Sequence, residues 1–227
     1  MKIELLEKKH IKDATDVIAT AFVENEPLTS YLEVPLPSYK KICEKMVIEA
    51  IQQKLSWVAT KEDEVVAVIL CRKADNPLLN KQEAIHLCPQ VAPIFQLLTE
   101  LEEQSEEFLQ LSKENLIYFD MGACHPNWMG KGIMSAINML CSHALTLAAE
   151  KQSNIVTSCT NKISTKLWTR QYQAVQLNEI HYDSFSYQET YPFAGIVSST
   201  AAQLLYIPTS HILEGLAKQK RRSQVQV

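Results

Sequence analysis

Gly122, Gly130 and Gly132 are three of only five glycines in a chain of 227 residues, and they fall within the run Tyr118-Phe-Asp-Met-Gly-Ala-Cys-His-Pro-Asn-Trp-Met-Gly-Lys-Gly-Ile133. There an apolar, strand-like stretch breaks at Pro126 and restarts with helical spacing. Glycine lets the backbone approach a ligand closely, and the free N–H groups at a helix start attract anions. Such a segment suits a phosphate cradle, with main-chain N–H groups from Met129 to Ile133 facing the anion and Lys131 adding a flexible cation. Taken alone, Gly122 also fits a simple bulge in a twisted sheet.

The elements that must position this run alternate between strands and helices. Ile3 to Leu6 reads as a first strand, and Ile11, Ala14, Val17, Ile18 and Phe22 recur at helical spacing. Pro27, Pro35 and Pro37 mark a loop before a helix from Ser38 to Lys54. Ser56 to Thr60 and Glu64 to Arg72 form a hairpin across a short polar turn. Residues 90 to 111 read as one helix, acidic on its exposed side. The strand from Leu116 to Cys124 leads into a helix from Gly132 to Glu150, followed by a strand from Ile155 to Cys159 and a helix from Ser164 to Tyr172. Two strands, near 175 to 187 and 202 to 207, close the chain. This order predicts a mixed sheet with helices on both faces.

Composition narrows the function classes. A hydrophobic content of 46% over this length suits one largish domain. No apolar run approaches the ~18 residues of a membrane span, and the charged start at Met1-Lys-Ile-Glu lacks a signal-type stretch, so a cytoplasmic protein is expected. The six cysteines contain no CxxC pair, which argues for free thiols and against a zinc site. A net charge of −4 argues against nucleic-acid binding.

With these residues in view, His125-Pro-Asn-Trp-Met-Gly-Lys-Gly-Ile-Met134 resembles the acetyl-CoA-binding segment of the GNAT N-acetyltransferases, Val-x-Pro-x-Tyr-Arg/Gln-Gly-x-Gly-x-Gly/Ala. Cys124 takes the Val position, and Pro126, Gly130 and Gly132 match. Met129 and Met134 depart from the pattern. Phe22-Val-Glu-Asn-Glu-Pro-Leu28 is similar to the Phe-x-x-Asp-Glu-Pro-Leu signature of insect-type arylalkylamine N-acetyltransferases. Ser164-Thr-Lys-Leu-Trp-Thr-Arg-Gln-Tyr172 and Asn178-Glu-Ile-His-Tyr182 resemble that group's later segments, although its Gly-Phe pair is replaced by Gln171-Tyr172.

The resemblance implies an α/β (α+β) GNAT-like fold, a mixed and mostly antiparallel sheet of about seven strands with helices on both faces. One domain would cover residues 1–215, with 216–227 a basic flexible tail. It implies acetyl-CoA as co-substrate, no metal, a small amine as acceptor, no nucleic-acid or membrane partner, and a monomer or weak dimer. Met121, Gly122, Ala123 and Cys124 would run beside the pantetheine arm, Met129 to Met134 would hold the diphosphate, and Asn161 would join the coenzyme set.

An alkylamine, with a pKa of about 10, is almost fully protonated near neutral pH and needs a base. By alignment that base is Glu26, where burial would raise the pKa; Glu24 is the neighbouring alternative and adds to the acidity of the cleft. Thr160 and Ser164 would assist proton movement, although Ser164 also suits a helix cap. His125 and His181 are solvent-facing or proton-shuttling histidines. Trp168 stands where many relatives place a tyrosine that protonates the leaving thiolate. Tyr182, Phe185 and Tyr187 form an aromatic group suited either to an arylalkyl acceptor or to strand packing. Two other readings stay open, a coenzyme-binding protein with altered catalysis and a protein or peptide N-acetyltransferase.

Overall fold

In the computed structural model, which describes residues 1–128 and 134–225, seven strands form one sheet in the order β1-β2-β3-β4-β5-β7-β6. The strands are β1 (Lys2–Leu5), β2 (Trp57–Lys61), β3 (Glu64–Lys73), β4 (Leu116–Cys124), β5 (Asn154–Cys159), β6 (Val175–His181) and β7 (Ala201–Ile207). All neighbours pair antiparallel except β4 and β5. The helices are α1 (Ile11–Asn25), α2 (Pro27–Tyr31), α3 (Leu36–Gln53), α4 (Lys81–Leu87), α5 (Ala92–Glu103), α6 (Glu106–Gln110), α7 (Met134–Glu150), α8 (Lys162–Tyr172) and α9 (Thr209–Val225). None of the described helices is long and apolar enough to cross a membrane.

Burial divides the helices between the two faces. α1 and α3 turn Val17, Ile18, Ile42 and Val47 onto one face, where they meet Val68, Leu70 and Met121. α7, α8 and α9 cover the other with Leu140, Leu145, Trp168 and Ile212 against Ile69, Phe119 and Leu205. A third cluster joins Leu97 and Leu101 of α5 to Val156, Leu204, Tyr182 and Phe193. The β2–β3 hairpin turns through Glu62 and Asp63, both at positive φ (53° and 64°), the twist that two-residue hairpin loops require.

Two irregularities in β4 shape the centre of the sheet. Leu70 pairs with Met121 and Cys71 with Phe119, so Asp120 is the extra residue of a bulge. The parallel ladder to β5 then runs only over Leu116–Phe119 against Asn154–Thr157. The Thr157 hydroxyl donates to the Phe119 carbonyl at 2.9 Å at the end of that ladder. Beyond it the strands part, and residues 121–124 of β4 are paired on the β3 side alone.

Several expected elements are corrected. Pro27 opens α2 and Pro37 lies in the first turn of α3, because proline's fixed φ and missing N–H suit a helix start. The single helix expected over 90–111 is two, since Ser105 leaves helical geometry and its hydroxyl caps α6 at the Phe108 N–H. α4 is additional. Asn161, not Ser164, caps α8. Residues 216–225, expected as a tail, continue α9.

That helix is anchored against α8. A Cβ built on Gly215 would stand 2.7 Å from Tyr172 Cδ1 and 3.2 Å from the Gln171 carbonyl oxygen. Gly215→Val should therefore destabilise the fold by about 1–3 kcal/mol in denaturant melts, as overpacked sites do. A detached segment would instead gain helix propensity from losing a glycine.

Candidate active site

The chain turns sharply at Glu26. α1 ends when the Glu26 N–H donates to the Phe22 carbonyl at 3.0 Å, and Glu26 then adopts extended geometry to become the N-cap of α2. Its Oε2 accepts from the Thr29 N–H at 2.7 Å and from the Thr29 hydroxyl at 2.6 Å. Its Oε1 accepts from the Thr160 hydroxyl at 2.6 Å. Glu26 is only 8% exposed. A carboxylate offers about four lone-pair sites, so three donors fix its orientation and leave one for a further proton donor.

Thr160 lies just past β5, where β4 and β5 have parted. The Tyr182 hydroxyl donates to its carbonyl at 2.5 Å. Asn161 Oδ1 accepts from the N–H groups of Ile163 and Ser164 at 3.0 and 2.9 Å, and the Ser164 hydroxyl donates back to the Asn161 carbonyl at 2.9 Å. Glu26, Thr160, Asn161, Ser164, Met121 and Gly122 all line one cavity of about 560 Å³ between the two helical layers.

Not all the expected site residues meet there. Tyr182 and Phe185 are buried in the third core cluster against Phe193, with ring centroids 5.9 and 5.5 Å away, and Tyr187 borders a separate surface depression. Glu24 is exposed on α1. The aromatic lining comes instead from Phe22, Tyr39 and Phe95, together with Tyr118, Phe119 and Trp168. Trp168 packs edge-on against Phe119 at 4.9 Å. Met129, Gly130, Lys131, Gly132 and Ile133 lie outside the described residues, and of Met134 only its place in α7 is described. His125 donates its N–H to the Val66 carbonyl, and His181 Nε2 lies 3.0 Å from Glu179 on β6.

A second polar cluster lines the same cavity and is not anticipated by the sequence reading. Arg72 Nε donates to Asp120 Oδ1 at 3.1 Å, with Oδ2 at 3.0 Å from the same nitrogen outside hydrogen-bonding geometry. Arg72 Nη1 donates to the carbonyls of Lys73 and Ala74. The Tyr118 hydroxyl donates to Glu102 Oε1 at 2.8 Å and lies 2.5 Å from Ser158 Oγ. Burial pushes Asp120 up to about 6 against the pull of Arg72, and burial likewise raises Glu102. The available signal was Asp120, the one charged residue in the apolar strand β4.

The bulged Asp120 makes a testable element. A carboxyl whose folded pKa exceeds its unfolded value holds its proton more tightly when folded, so its contribution to stability declines as pH rises from about 4 through 6. Arg72→Met would leave Asp120 buried without its partner and should cost about 3–5 kcal/mol near neutral pH. Melts at pH 5, where the unpartnered carboxyl is protonated, should show a smaller loss; equal losses at pH 5 and 7.5 would contradict the pairing.

Coenzyme fit rests on the parted strands. Among the described residues, the edge of β4 that faces β5 has N–H and C=O groups without a ladder partner from residue 120 onward, as an extended amide-bearing arm requires. A Cβ on Gly122 would meet nothing within 4 Å.

The fold is that of the GNAT acetyltransferases. Over 91% of this chain and 98% of the other, it superposes on the C-terminal condensation domain of Ebony, solved with beta-alanyl-dopamine, at a TM-score of 0.79 and 18% identity. Arylalkylamine N-acetyltransferase 2 from Aedes aegypti matches at 0.74 and 16% identity over 92% of this chain and 98% of its own. The Drosophila melanogaster polyamine N-acetyltransferase, described as forming N-acetylagmatine, matches at 0.66 and 14% identity over 91% and 100%. No protein-family model and no curated sequence matches the chain.

Proposed function

We propose that this protein transfers the acetyl group of acetyl-CoA to the primary amine of a small arylalkyl amine by direct attack in a ternary complex. The observation that carries the reading is the Glu26 carboxylate, oriented by Thr29 and Thr160 on the wall of the cavity that opens where β4 and β5 part. The coenzyme would supply the acetyl group as a thioester, held along Met121 to Cys124 and at the Asn161 turn.

The chain's own residues would then manage protons and orientation. The alkylammonium gives a proton to Glu26, directly or through one water, and the freed nitrogen attacks the thioester carbon. Glu26 passes that first proton to solvent; a C–N bond forms, the C–S bond breaks, and the amine's second proton then leaves by the regenerated carboxylate. Indole cannot act as an acid here, so with Trp168 at this position coenzyme A departs as thiolate and is protonated by solvent. Burial holds the Cys124 and Cys159 thiols up at about 12 and about 11, which disfavours an acetyl-cysteine route. The volume and aromatic lining suit a small ring-bearing acceptor.

Acetyl-CoA turnover against tyramine, dopamine, serotonin, tryptamine and spermidine tests the reading. Turnover of the arylalkyl amines is expected. Turnover of spermidine alone, or of none, would overturn it.

A further inference from the structure

Lone pairs decide which oxygen of Glu26 can take a proton. Oε2 accepts from both the N–H and the hydroxyl of Thr29, which fills its two acceptor positions. Oε1 accepts from the Thr160 hydroxyl, so the open position of the carboxylate lies on the oxygen that Thr160 holds. Where that position points depends on the plane of the carboxyl group. Thr29 holds a single oxygen, about which the plane can turn; the contact at Oε1 fixes it.

Thr160 therefore needs an anchor of its own. It follows Cys159, the last residue of β5, and precedes Asn161, the N-cap of α8, so it belongs to neither element. The ladder from β5 to β7 ends one residue earlier, at the Cys159–Gln203 pair. The anchor is the Tyr182 hydroxyl, which donates to the Thr160 carbonyl at 2.5 Å. Tyr182 is itself held in place: it is 1% exposed, packs against Phe193, and donates its N–H to the Thr200 carbonyl at 2.9 Å. Burial raises its hydroxyl well above the ordinary tyrosine range, so it remains a donor. The same core cluster contains Leu28 of α2, the helix that Glu26 caps. Both grips on the carboxylate, from Thr29 and from Thr160, are thus referred to one packed cluster although the two residues are far apart in sequence.

We infer that Oε1 is the proton-accepting oxygen of Glu26 and that Tyr182 is a positioning residue that aims it, acting through Thr160. The inference rests on the acetyltransferase reading above and adds to it a residue behind the cavity wall, where Thr160 lines the cavity and Tyr182 does not.

The test is Tyr182→Phe, which keeps the buried ring and removes only the hydroxyl. kcat for tyramine should fall by about five- to a hundredfold, the range for a buried carbonyl that loses its partner. KM for acetyl-CoA should hold, because Asn161 keeps its own bonds to α8. The loss should shrink between pH 7 and about pH 9.5, where more of the amine arrives deprotonated; equal losses at both would mark a general loosening and overturn the inference. A second substitution checks the route. In Thr160→Val the grip on Oε1 is already gone, so adding Tyr182→Phe should cost nothing further, whereas losses that multiply would show that Tyr182 acts elsewhere. Thr160→Ser keeps the hydroxyl and should retain most of the rate; a serine variant as slow as the valine one would overturn the grip.

If the wild type acetylates no amine, the acetyltransferase reading fails, and the carboxylate itself still decides the geometry. With glutamate labelled with carbon-13 at Cδ, the Glu26 resonance, assigned by its loss in Glu26→Gln, should shift in Tyr182→Phe. It should not shift further when Tyr182→Phe is added to Thr160→Val. Should Tyr182→Phe not fold, 3,5-difluorotyrosine placed at position 182, nearly the same size and a more acidic donor, should shift the same resonance. An unmoved resonance would overturn the inference.

Discussion

Glu26→Gln should lower turnover of an arylalkyl amine by about 10²- to 10⁴-fold near neutral pH, the range that general bases contribute, while acetyl-CoA affinity changes little. The variant is close to isosteric, and its amide oxygen can still accept from Thr29 or Thr160. The α2 cap is therefore partly kept, and folding is not the cause of the loss. What disappears is the ability to take a proton. The defect should shrink at high pH, where more of the amine is already deprotonated. A variant with full turnover at pH 7 would remove Glu26 from the reaction.

The second large effect is expected at Gly122. Open space surrounds the position of its missing Cβ, and the residue is exposed on the parted edge of β4. Gly122→Val should thus leave the thermal midpoint nearly unchanged, since β-branched residues suit strands and the added Cβ meets no neighbouring atom within 4 Å. The same methyl groups would occupy the path proposed for the pantetheine arm. A rise in KM for acetyl-CoA of about tenfold or more, worth ~1.4 kcal/mol or more, is expected. Unchanged coenzyme affinity would place the thioester elsewhere.

The central strands were legible because their patterns were strong. Val65 to Leu70 is a continuous apolar run buried on both faces, and the strand from Leu116 to Cys124 has the bounds expected of it. α4 escaped notice because Ala84 alone is fully buried in Lys81–Leu87, too little for a helical stripe. The aromatic group at Tyr182, Phe185 and Tyr187 illustrates another limit. Residue type cannot tell a cleft wall from a core, and the chain spends Tyr182 and Phe185 on the core. Glu26 and Thr160 could be named singly from the family pattern, but their 2.6 Å contact joins residues 134 positions apart. The Arg72, Glu102, Asp120 and Ser158 cluster draws on four elements, and beyond the lone charge of Asp120 in apolar β4 nothing local marks it.

The early end of the β4–β5 ladder also bears on the free protein. Leu116–Phe119 holds the two halves of the sheet together through four residue pairs, while the β5-facing edge of 120–124 has no ladder partner among the described residues. A molecule that supplies the absent rungs would act as a surrogate strand, so saturating coenzyme at a hundred times its Kd should raise unfolding free energy by ~2.7 kcal/mol. Slowed deuterium uptake concentrated at residues 121–124, rather than spread evenly over the chain, would identify the seam that closes.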